Sequence, residues 1–302
     1  MKKNLIIIAG PTAVGKTALA IELAQHYGCP VISADSRQFY KEMSIGTAKP
    51  TVAEMQDVPH YFIDHISIQD TYNVGQYERD AINLIETLFK EHEQLIVVGG
   101  SGLYINAIMN GVDEFEEIPT HIRKGLIKDF EEKGIVYLQE QLKHRDEAYY
   151  GQVDLNNPQR LMRALEVCIH TNKSFSEFRT NIKKERSFDI FPILINTNRE
   201  ALYAKINHRV DVMMQQGLMN EAKALYSFKQ LNALNTVGYK ELFDVIDEKA
   251  SLEDAVNLIK QNTRRYAKRQ LTWFNHQGDF ESFEPTDFEK LKAYLDIVFQ
   301  YS

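Results

Sequence analysis

The stretch that decides the fold runs Leu5-Ile6-Ile7-Ile8-Ala9-Gly10-Pro11-Thr12-Ala13-Val14-Gly15-Lys16-Thr17. Residues 5–8 form a continuous apolar run rich in β-branched side chains, which is typical of a strand buried on both faces of a parallel sheet. Residues 10–17 place two glycines ahead of a Lys-Thr pair, directly after this strand and at the start of a helical pattern. That context favours a phosphate-binding loop, in which backbone N–H groups and the positive end of the helix surround an anion. The sequence therefore predicts a P-loop fold that binds a diphosphate or triphosphate.

The loop is the first candidate site. We expect all of it to bind a diphosphate or nucleotide, through Gly10, Pro11, Thr12, Ala13, Val14, Gly15, Lys16 and Thr17. The Lys16 ammonium is expected to reach the terminal phosphate, and the Thr17 hydroxyl is expected to ligate a magnesium ion. Mg²⁺ is accordingly the predicted cofactor, with Thr17 as its protein ligand.

Apolar runs further along the chain predict the rest of the sheet. Residues 31–34, 94–98 and 191–195 each read as a short strand, and helical stretches separate them. Strands that alternate with helices indicate an α/β fold, here a P-loop NTPase-like core with a parallel sheet flanked by helices.

The sequence changes its character between residues 113 and 186. There it is rich in charge and has helical periodicity, most clearly at residues 121–133, 136–145 and 158–171. We therefore predict an all-helical insertion domain of residues 113–186. The remainder, residues 1–112 and 187–302, is the predicted P-loop catalytic core with its helical C-terminal region.

Composition limits the class of protein. With 302 residues, 44% of them hydrophobic and 25% charged, the chain can bury a full core, which excludes a disordered or collagen-like chain. The formal net charge of −7 argues against nucleic-acid binding through bulk charge, but it leaves room for a local basic groove. Two cysteines are too few for a disulfide scaffold or a four-thiolate zinc site. No apolar run approaches the roughly 20 residues of a membrane span, so we expect a soluble, cytoplasmic protein.

A carboxylate at the end of the second predicted strand is the second candidate site. P-loop hydrolases carry a magnesium-binding Asp after a long apolar strand, whereas the run 95–98 ends in Gly99-Gly100. Asp35 instead ends the strand after the loop helix, and the carboxyl ends of neighbouring parallel strands face one crevice. Asp35 would there be a general base for a second substrate, the alternative being a helix N-cap. A small-molecule kinase and a transferase with a diphosphate leaving group both fit these residues.

A basic segment near the C-terminus suggests a site for RNA. Residues 259–277 carry five Lys and Arg side chains and no acidic one, with Tyr266, Trp273 and Phe274 interleaved. Basic side chains interleaved with aromatic ones are typical of a groove for single-stranded RNA. The alternative is a solvated helix face whose aromatic side chains lie in the core.

Eight sequence blocks occur in order along the chain. They are residues 10–17, Asp35-Ser36-Arg37-Gln38-Phe39-Tyr40, Gly46-Thr47-Ala48-Lys49-Pro50, Gly99-Gly100-Ser101-Gly102-Leu103-Tyr104, residues 157–166, Arg209-Val210-Asp211, Gly238-Tyr239-Lys240-Glu241-Leu242 and residues 263–273. Together they resemble the tRNA dimethylallyltransferases (tRNA isopentenyltransferases), and the resemblance covers nearly the whole length. Eukaryotic members append a zinc finger, so the lack of further Cys and His near the C-terminus makes the chain similar to the bacterial members.

The resemblance implies transfer of a dimethylallyl group from dimethylallyl diphosphate to the exocyclic amine of the adenine immediately 3′ of the anticodon in tRNA, with release of diphosphate. It implies catalytic roles for Asp35, Thr12 and Arg209. The tRNA contacts that it implies are Asp35, Ser36, Arg37, Gln38, Ser101, Arg123, Gln159, Arg160, Leu161, Met162 and Arg163. On the same basis the insertion domain is expected to contact the tRNA anticodon stem-loop. We expect a monomer that does not associate with membranes.

Other functions fit parts of the same pattern. A P-loop small-molecule kinase uses the same loop and Asp35 but leaves the basic segment unexplained. A prenyltransferase that acts on free AMP or ADP would have no need of the helical insertion. A nucleotide-gated RNA-binding protein without catalysis would leave Asp35 without a role.

Overall fold

The computed structural model describes residues 2–113, 115, 118–180, 182–277 and 280–301. These residues form two compact units. The larger unit comprises residues up to Met109 and from Glu185 onward, and the smaller unit is Asn110–Lys184. The smaller unit is the part of the chain in which the sequence predicts a helical insertion.

A parallel sheet forms the centre of the larger unit. Its strands are β1 (Asn4–Ala9), β2 (Val31–Ser33), β3 (His60–Tyr61), β4 (Gln94–Gly99), β5 (Asp189–Ile195) and β6 (Glu281–Phe283). They lie in the order β3-β2-β4-β1-β5-β6, and each neighbouring pair is parallel. Every residue of β1 is buried, as its apolar run predicts for a central strand. The parallel α/β fold predicted from the sequence is confirmed.

Helices are the other main regular elements of the residues that the structure describes. In chain order they are α1 (Lys16–Tyr27), α2 (Val52–Met55), α3 (Val74–Leu88), α4 (Gly102–Asn110), α5 (Thr120–Arg145), α6 (Glu147–Tyr150), α7 (Pro158–Thr171), α8 (Phe175–Phe178), α9 (Arg199–Gln215), α10 (Leu218–Leu225), α11 (Tyr239–Ile246), α12 (Leu252–His276) and α13 (Phe288–Tyr301). Two 3₁₀ turns, Tyr226–Phe228 and Asn232–Leu234, lie between α10 and α11. Within the described ranges, no helix is both long and apolar enough to cross a membrane.

The two faces of the sheet bury separate hydrophobic cores. Ile6 packs in one core with Leu23 of α1, and Ile7, which points to the opposite face, packs in the other with Ile85 of α3. Side chains of consecutive strand residues point to opposite faces, so a strand between two helical layers must be apolar throughout.

Glycines bound the first helix. Gly15 precedes α1 with φ 117, and Gly28 ends it with φ 62, donating its N–H to the Ala24 carbonyl oxygen. Both φ values lie in the left-handed region, which glycine adopts without a Cβ clash. Helix α1 therefore ends at Gly28.

Two strands were not predicted. β3 has two residues and pairs only with β2, and β6 has three residues and pairs only with β5. Both are edge strands of the sheet. Segments this short carry no periodicity of their own, so tertiary pairing defines them.

The described part of the smaller unit is helical. α5 changes direction at Gly134, whose φ of 76 is non-helical, so α5 contains two segments that match the predicted helices at 121–133 and 136–145. Leu138 of α5 and Leu165 of α7 lie in one buried core, which belongs to this unit alone. The insertion therefore has a hydrophobic core of its own.

Candidate active site

A cavity of about 700 Å³ lies in the larger unit, where neighbouring strands end. Its lining includes Thr12 after β1, Asp35 after β2 and Gly100 after β4. Helix α9 contributes Arg209, and α12 contributes a series of side chains that includes Gln270. The crevice at the carboxyl ends of parallel strands is the usual ligand site of open α/β sheets. This cavity is therefore the candidate active site.

The phosphate loop curves around its own lysine. A Cβ on Gly10, at φ 151, would lie 2.4 Å from the Ile195 carbonyl oxygen, so glycine is required there. Ala13 is held at φ 65, in the left-handed region that non-glycine residues seldom adopt. Lys16 Nζ donates a hydrogen bond of 2.7 Å to the Pro11 carbonyl oxygen across the loop. The backbone thus has the curved form in which successive N–H groups can surround an anion.

The protonation of Lys16 is coupled to its neighbours in the cavity. Burial first, and the Arg209 guanidinium second, lower the pKa of Lys16 to about 7, while the Asp35 carboxylate acts in the opposite direction. A bound diphosphate would favour the ammonium form, because an opposite charge stabilises the charged form of a group. Anion binding and protonation of Lys16 are therefore linked.

We expect the affinity for inorganic pyrophosphate to weaken as pH rises above about 7, by up to about tenfold per pH unit. The sign follows because free Lys16 loses its proton above about 7 whereas the complex keeps it, so binding takes up a proton there. Isothermal titration calorimetry across this range measures the slope. Lys16→Arg is the control, since its guanidinium stays charged and the titration of pyrophosphate is common to both proteins. Equal slopes in the two proteins would contradict the prediction.

Asp35 caps a turn, and the alternative of a helix N-cap is wrong. Its Oδ1 accepts a hydrogen bond of 3.0 Å from the Arg37 N–H, and residues 36–39 form turns. Burial raises the pKa of Asp35, and the Arg37 N–H, the Lys16 ammonium and the Arg37 charge partly oppose that rise. A carboxylate whose pKa is raised is a stronger base once it is ionised.

The other two predicted catalytic residues line the same cavity. Thr12 belongs to the phosphate loop, and Arg209 lies on α9. Burial lowers the pKa of the Arg209 guanidinium, with Glu54 and Asp35 acting in the opposite direction, but an arginine remains charged in proteins. The cavity therefore brings the Lys16 and Arg209 side chains, the Thr12 hydroxyl and the Asp35 carboxyl group together.

Two predicted tRNA contacts of the larger unit form one polar pair beside Asp35. The Ser36 N–H donates to Ser101 Oγ at 3.0 Å, and the two hydroxyl oxygens are 3.2 Å apart. Burial and the nearby Asp35 charge raise the pKa of Tyr266 to about 12, and the Arg37 charge and a hydrogen bond with Ser101 oppose that rise. The loops after β2 and β4 are thereby joined to α12.

Two further predicted contacts in this region, Arg37 and Gln38, form hydrogen bonds within the protein. Arg37 Nη1 donates to the carbonyl oxygens of Asn232 and Ala233, both at 2.9 Å. Gln38 Nε2 donates to the Thr47 and Ala48 carbonyl oxygens, both at 3.3 Å. Both side chains line the cavity, and these bonds hold its walls together.

The predicted contacts in the smaller unit divide into exposed and buried residues. Gln159, Arg160 and Arg163 are exposed on α7, and Arg123 forms an ion pair of 3.3 Å with Glu166 and a hydrogen bond with Gln159. Leu161 and Met162, by contrast, are 0% and 2% exposed in the core of this unit. These two side chains face inward whereas Arg160 and Arg163 face solvent. Their burial does not support a side-chain contact with tRNA, and the contact at these two positions stays a prediction.

The basic segment of α12 is less open than its sequence predicts. Lys260 forms an ion pair of 2.6 Å with Asp211, and Arg264 Nη1 donates to Asn207 Oδ1 at 2.6 Å. Both partners lie on α9, so these cations hold two helices together. Arg269 lines the cavity instead, with its guanidinium 5.7 Å from the Tyr266 ring centroid.

Glu221 holds the loop that leads into one wall of the cavity, a role that no sequence pattern indicated. Its carboxylate accepts hydrogen bonds from the N–H groups of Ser44, Ile45 and Gly46, at 3.0, 2.8 and 2.9 Å. The Tyr239 hydroxyl donates to the same carboxylate at 2.6 Å. A Cβ on Gly46 would lie 2.6 Å from the Tyr239 ring, which explains the glycine.

Replacing Glu221 with alanine is expected to lower the free energy of unfolding by about 2–4 kcal/mol, because three backbone N–H groups and a hydroxyl lose their acceptor. Urea denaturation followed by circular dichroism measures the change. Glu221→Gln, which keeps one acceptor oxygen, should fall between alanine and wild type. An alanine variant as stable as the glutamine variant would contradict this account.

Gln270 is the second functional candidate that sequence reasoning missed. It lies within the block of residues 263–273, and its side-chain amide bonds to the backbone of two cavity loops. Such partners lie far away in sequence, so no local pattern could have indicated them.

The cavity offers oxygen atoms to a metal ion. Among the residues that the structure describes, no three His, Cys, Asp or Glu side chains group together as a metal site. The hydroxyls of Thr12 and Thr17 and the Asp35 carboxylate line the cavity, and hard oxygen donors of this kind suit Mg²⁺. A magnesium ion held by one protein oxygen and the oxygens of a bound diphosphate fits this donor set.

Known sequences group this chain with enzymes of one kind. A sequence model described as IPP transferase matches residues 38–277. The tRNA dimethylallyltransferase of Christiangramia forsetii is 52% identical over 94% of this chain and 94% of its own length. That of Flavobacterium johnsoniae is 48% identical, with 97% of each chain covered.

Solved structures agree with the sequences. The full-length tRNA isopentenylpyrophosphate transferase of Bacillus halodurans matches with a TM-score of 0.72 and 34% identity, over 98% of this chain and 96% of that one. A eukaryotic dimethylallyltransferase acting on tRNA matches with a TM-score of 0.77 and 28% identity, over 95% of this chain and 75% of that one. By sequence and by structure, this chain belongs to the IPP transferase family.

Proposed function

We propose that this protein transfers a dimethylallyl group from dimethylallyl diphosphate to the exocyclic amine of the adenine immediately 3′ of the anticodon in tRNA. The observation that carries the proposal is one cavity that holds both an anion-binding loop with Lys16 and a buried carboxylate, Asp35. The relatives described above, tRNA dimethylallyltransferases and a tRNA isopentenylpyrophosphate transferase, support the same reaction.

Stabilising the leaving diphosphate is the larger part of the chemistry. The bond between the allylic carbon and the diphosphate oxygen breaks, and its electron pair leaves with the diphosphate. The negative charge that develops on the diphosphate is stabilised by the N–H groups of the phosphate loop, the Lys16 ammonium, the Thr12 hydroxyl and the Arg209 guanidinium. A single preorganised donor of this kind typically contributes about 10²–10³-fold in rate.

Asp35 is the general base of the proposed reaction. The adenine amine is a weak nucleophile, so its attack on the allylic carbon requires removal of a proton, which passes to the Asp35 carboxylate. The raised pKa of Asp35 helps here, because a more basic carboxylate accepts the proton more readily. The Arg37 N–H bond to Oδ1 orients the carboxylate without neutralising it.

Mg²⁺ is the proposed cofactor, with the Thr17 hydroxyl as its protein ligand. When bound, the ion would neutralise part of the diphosphate charge. Thr17 follows Lys16 at the start of α1 and lines the cavity. Its hydroxyl would therefore be able to ligate an ion that accompanies a bound diphosphate. The chain's own residues, Lys16 and Arg209, supply the remaining positive charge.

The acceptor adenine must leave its stack to enter the cavity. Proteins take up such a base by splaying it out of the loop and bonding to its edges. We propose that Ser36, Gln38 and Ser101 lie near this base, with Arg37 holding the adjacent wall. In the smaller unit, the proposed contacts to the anticodon stem-loop are the exposed residues Gln159, Arg160 and Arg163 and the half-buried Arg123. We further propose that the protein acts in the cytoplasm as a monomer.

The alternatives predict different products. A small-molecule kinase would phosphorylate an acceptor at the expense of ATP, and an AMP- or ADP-specific prenyltransferase would modify the free nucleotide. The relatives at 42–52% identity do not favour either alternative, since their names give tRNA as the acceptor.

The experiment that tests the proposal supplies all acceptors in parallel. Purified protein, Mg²⁺ and labelled dimethylallyl diphosphate are incubated with unmodified tRNA, with AMP and with ADP. Label is expected in the tRNA alone. Label in AMP or ADP would overturn the assignment of the acceptor. Consumption of ATP with a small acceptor, and no label in any acceptor, would favour the kinase.

A further inference from the structure

Gln270 links two loops on the floor of the cavity. It lies on α12, is only 6% exposed and belongs to the cavity lining. Its Oε1 accepts a hydrogen bond of 2.9 Å from the Thr12 N–H, and its Nε2 donates one of 2.8 Å to the Gly100 carbonyl oxygen. Thr12 follows β1 and Gly100 follows β4, and these strands are neighbours in the sheet. One buried amide therefore connects the phosphate loop to the loop beside it.

Glycines after β4 make room for this link. A Cβ on Gly100 would lie 2.3 Å from Gln270 Nε2, and a Cβ on Gly102 would lie 2.4 Å from the Trp273 ring. Gln270 and Trp273 are one turn apart on α12 and share a face of the helix. Helix α12 thus packs directly on the backbone of this loop, and that contact explains Gly100 and Gly102.

The amide has no simple substitute at this position. Only a side chain that accepts at one atom and donates at another satisfies both the Thr12 N–H and the Gly100 carbonyl oxygen. An apolar side chain of the same size would leave both backbone groups buried without a partner. Moreover, the Thr12 N–H that bonds to Gln270 is not free for an anion, which leaves the diphosphate to the later N–H groups of the loop.

We propose that Gln270 is a positioning residue, which holds the phosphate loop at Thr12 and thereby places the Thr12 hydroxyl against the diphosphate. The meaning of this placement for catalysis rests on the proposed function. The link itself acts on the loop, so it also influences how the loop binds an anion.

The test removes the link in two ways. Gln270→Met keeps the size of the side chain without donor or acceptor, and Gly100→Ala displaces the amide from its partner. We expect each variant to lower kcat for dimethylallyl transfer by about 10²-fold, the loss that a misplacement of about 1 Å causes. The KM for tRNA should stay within about twofold, because the link bonds to the backbone of the two loops and is not among the proposed contacts to the RNA. Gln261→Met, exposed on the same helix, is the matched control and should retain wild-type kinetics.

A pH profile separates positioning from general stability. In Gln270→Glu, the protonated carboxyl accepts from the Thr12 N–H and donates to the Gly100 carbonyl oxygen, as the amide does, whereas the ionised carboxylate cannot donate. The ratio of its kcat to that of wild type should therefore rise as pH falls, while the ratio for Gln270→Met stays flat. The other charged and titratable groups of the cavity are present in all the proteins, and the Gln270→Met profile shows what they contribute without a carboxyl group at this position; they are Lys16, Asp35, Arg37, Arg209, Lys240, Glu241, Asp244, Tyr266 and Arg269.

The outcomes decide the role of Gln270 separately from the function. A kcat for Gln270→Met within about threefold of wild type, or a flat ratio for Gln270→Glu, would overturn the proposal. If Gln270→Met does not fold, the profile of Gln270→Glu decides. If wild type transfers no dimethylallyl group, the proposed function fails, and the affinity for inorganic pyrophosphate becomes the readout. About tenfold weaker binding in Gln270→Met then supports positioning, and unchanged binding overturns it.

Discussion

Replacing Asp35 with asparagine is expected to lower kcat for dimethylallyl transfer by about 10²–10⁴-fold, the usual contribution of a general base. Asparagine keeps an oxygen that accepts from the Arg37 N–H, so the turn at Asp35 should survive. It cannot, however, take the proton of the adenine amine. Steady-state kinetics with tRNA and dimethylallyl diphosphate measure the loss.

Binding should be spared in this variant. The KM for both substrates is expected to change little, because the asparagine is close in size to the aspartate it replaces. Asp57→Asn is the matched control, since Asp57 is exposed outside the cavity lining and its φ of 61 suits asparagine. An Asp35→Asn enzyme with nearly full kcat would show that the proton of the amine goes elsewhere.

The second large effect concerns the leaving diphosphate. Lys16→Met is expected to lower kcat/KM for dimethylallyl diphosphate by about 10²–10³-fold, the loss that follows removal of one preorganised donor. Methionine fits the buried position but has no charge and no hydrogen-bond donor for the terminal phosphate. Kinetics at saturating tRNA and calorimetric binding of pyrophosphate measure the two consequences.

The stability of Lys16→Met is not expected to fall with its activity. Burial disfavours the Lys16 ammonium, as its lowered pKa indicates, so removing that charge should leave the free energy of unfolding unchanged or raise it at neutral pH. Lys90→Met, on the surface, is the control for loss of a lysine. A Lys16→Met protein that loses activity only because it unfolds would refute the assignment of Lys16 to the diphosphate.

The local elements of the fold follow from short-range rules. The apolar run of β1, the glycines of the loop and the left-handed stop at Gly28 each express backbone and burial preferences of a few adjacent residues. The break at Gly134 likewise separates two helical patterns that the sequence shows. For the same reason, Asp35 could be placed at the cavity, because strand ends of a parallel sheet share one edge.

Other features depend on partners that are distant in sequence. The bonds of Glu221 to backbone N–H groups, and of Gln270 to two loops, carry no signal in their own neighbourhood. Lys260 has the charge of an RNA contact but pairs with Asp211 on another helix. Charge in a sequence identifies a cation, whereas only the packed structure shows whether that cation already has a partner.

Helix α7 shows that neighbouring residues of one sequence block can have different roles. Leu161 and Met162 lie between exposed basic and polar residues in one continuous stretch, but the helix turns them into the core. A contact assigned to a whole stretch therefore has to be divided by helical face. Arg160 and Arg163 keep the proposed role, and the two apolar residues support the helix that presents them.

The central claim is the identity of the modified atom. The most direct measurement is mass spectrometry of a nuclease digest of unmodified tRNA after incubation with the full chain, Mg²⁺ and dimethylallyl diphosphate. The account predicts one added five-carbon group, on the exocyclic amine of the adenine immediately 3′ of the anticodon, and no addition when that adenine is replaced by guanine. An unmodified digest alongside active controls, or a five-carbon group on any other nucleotide, would contradict it.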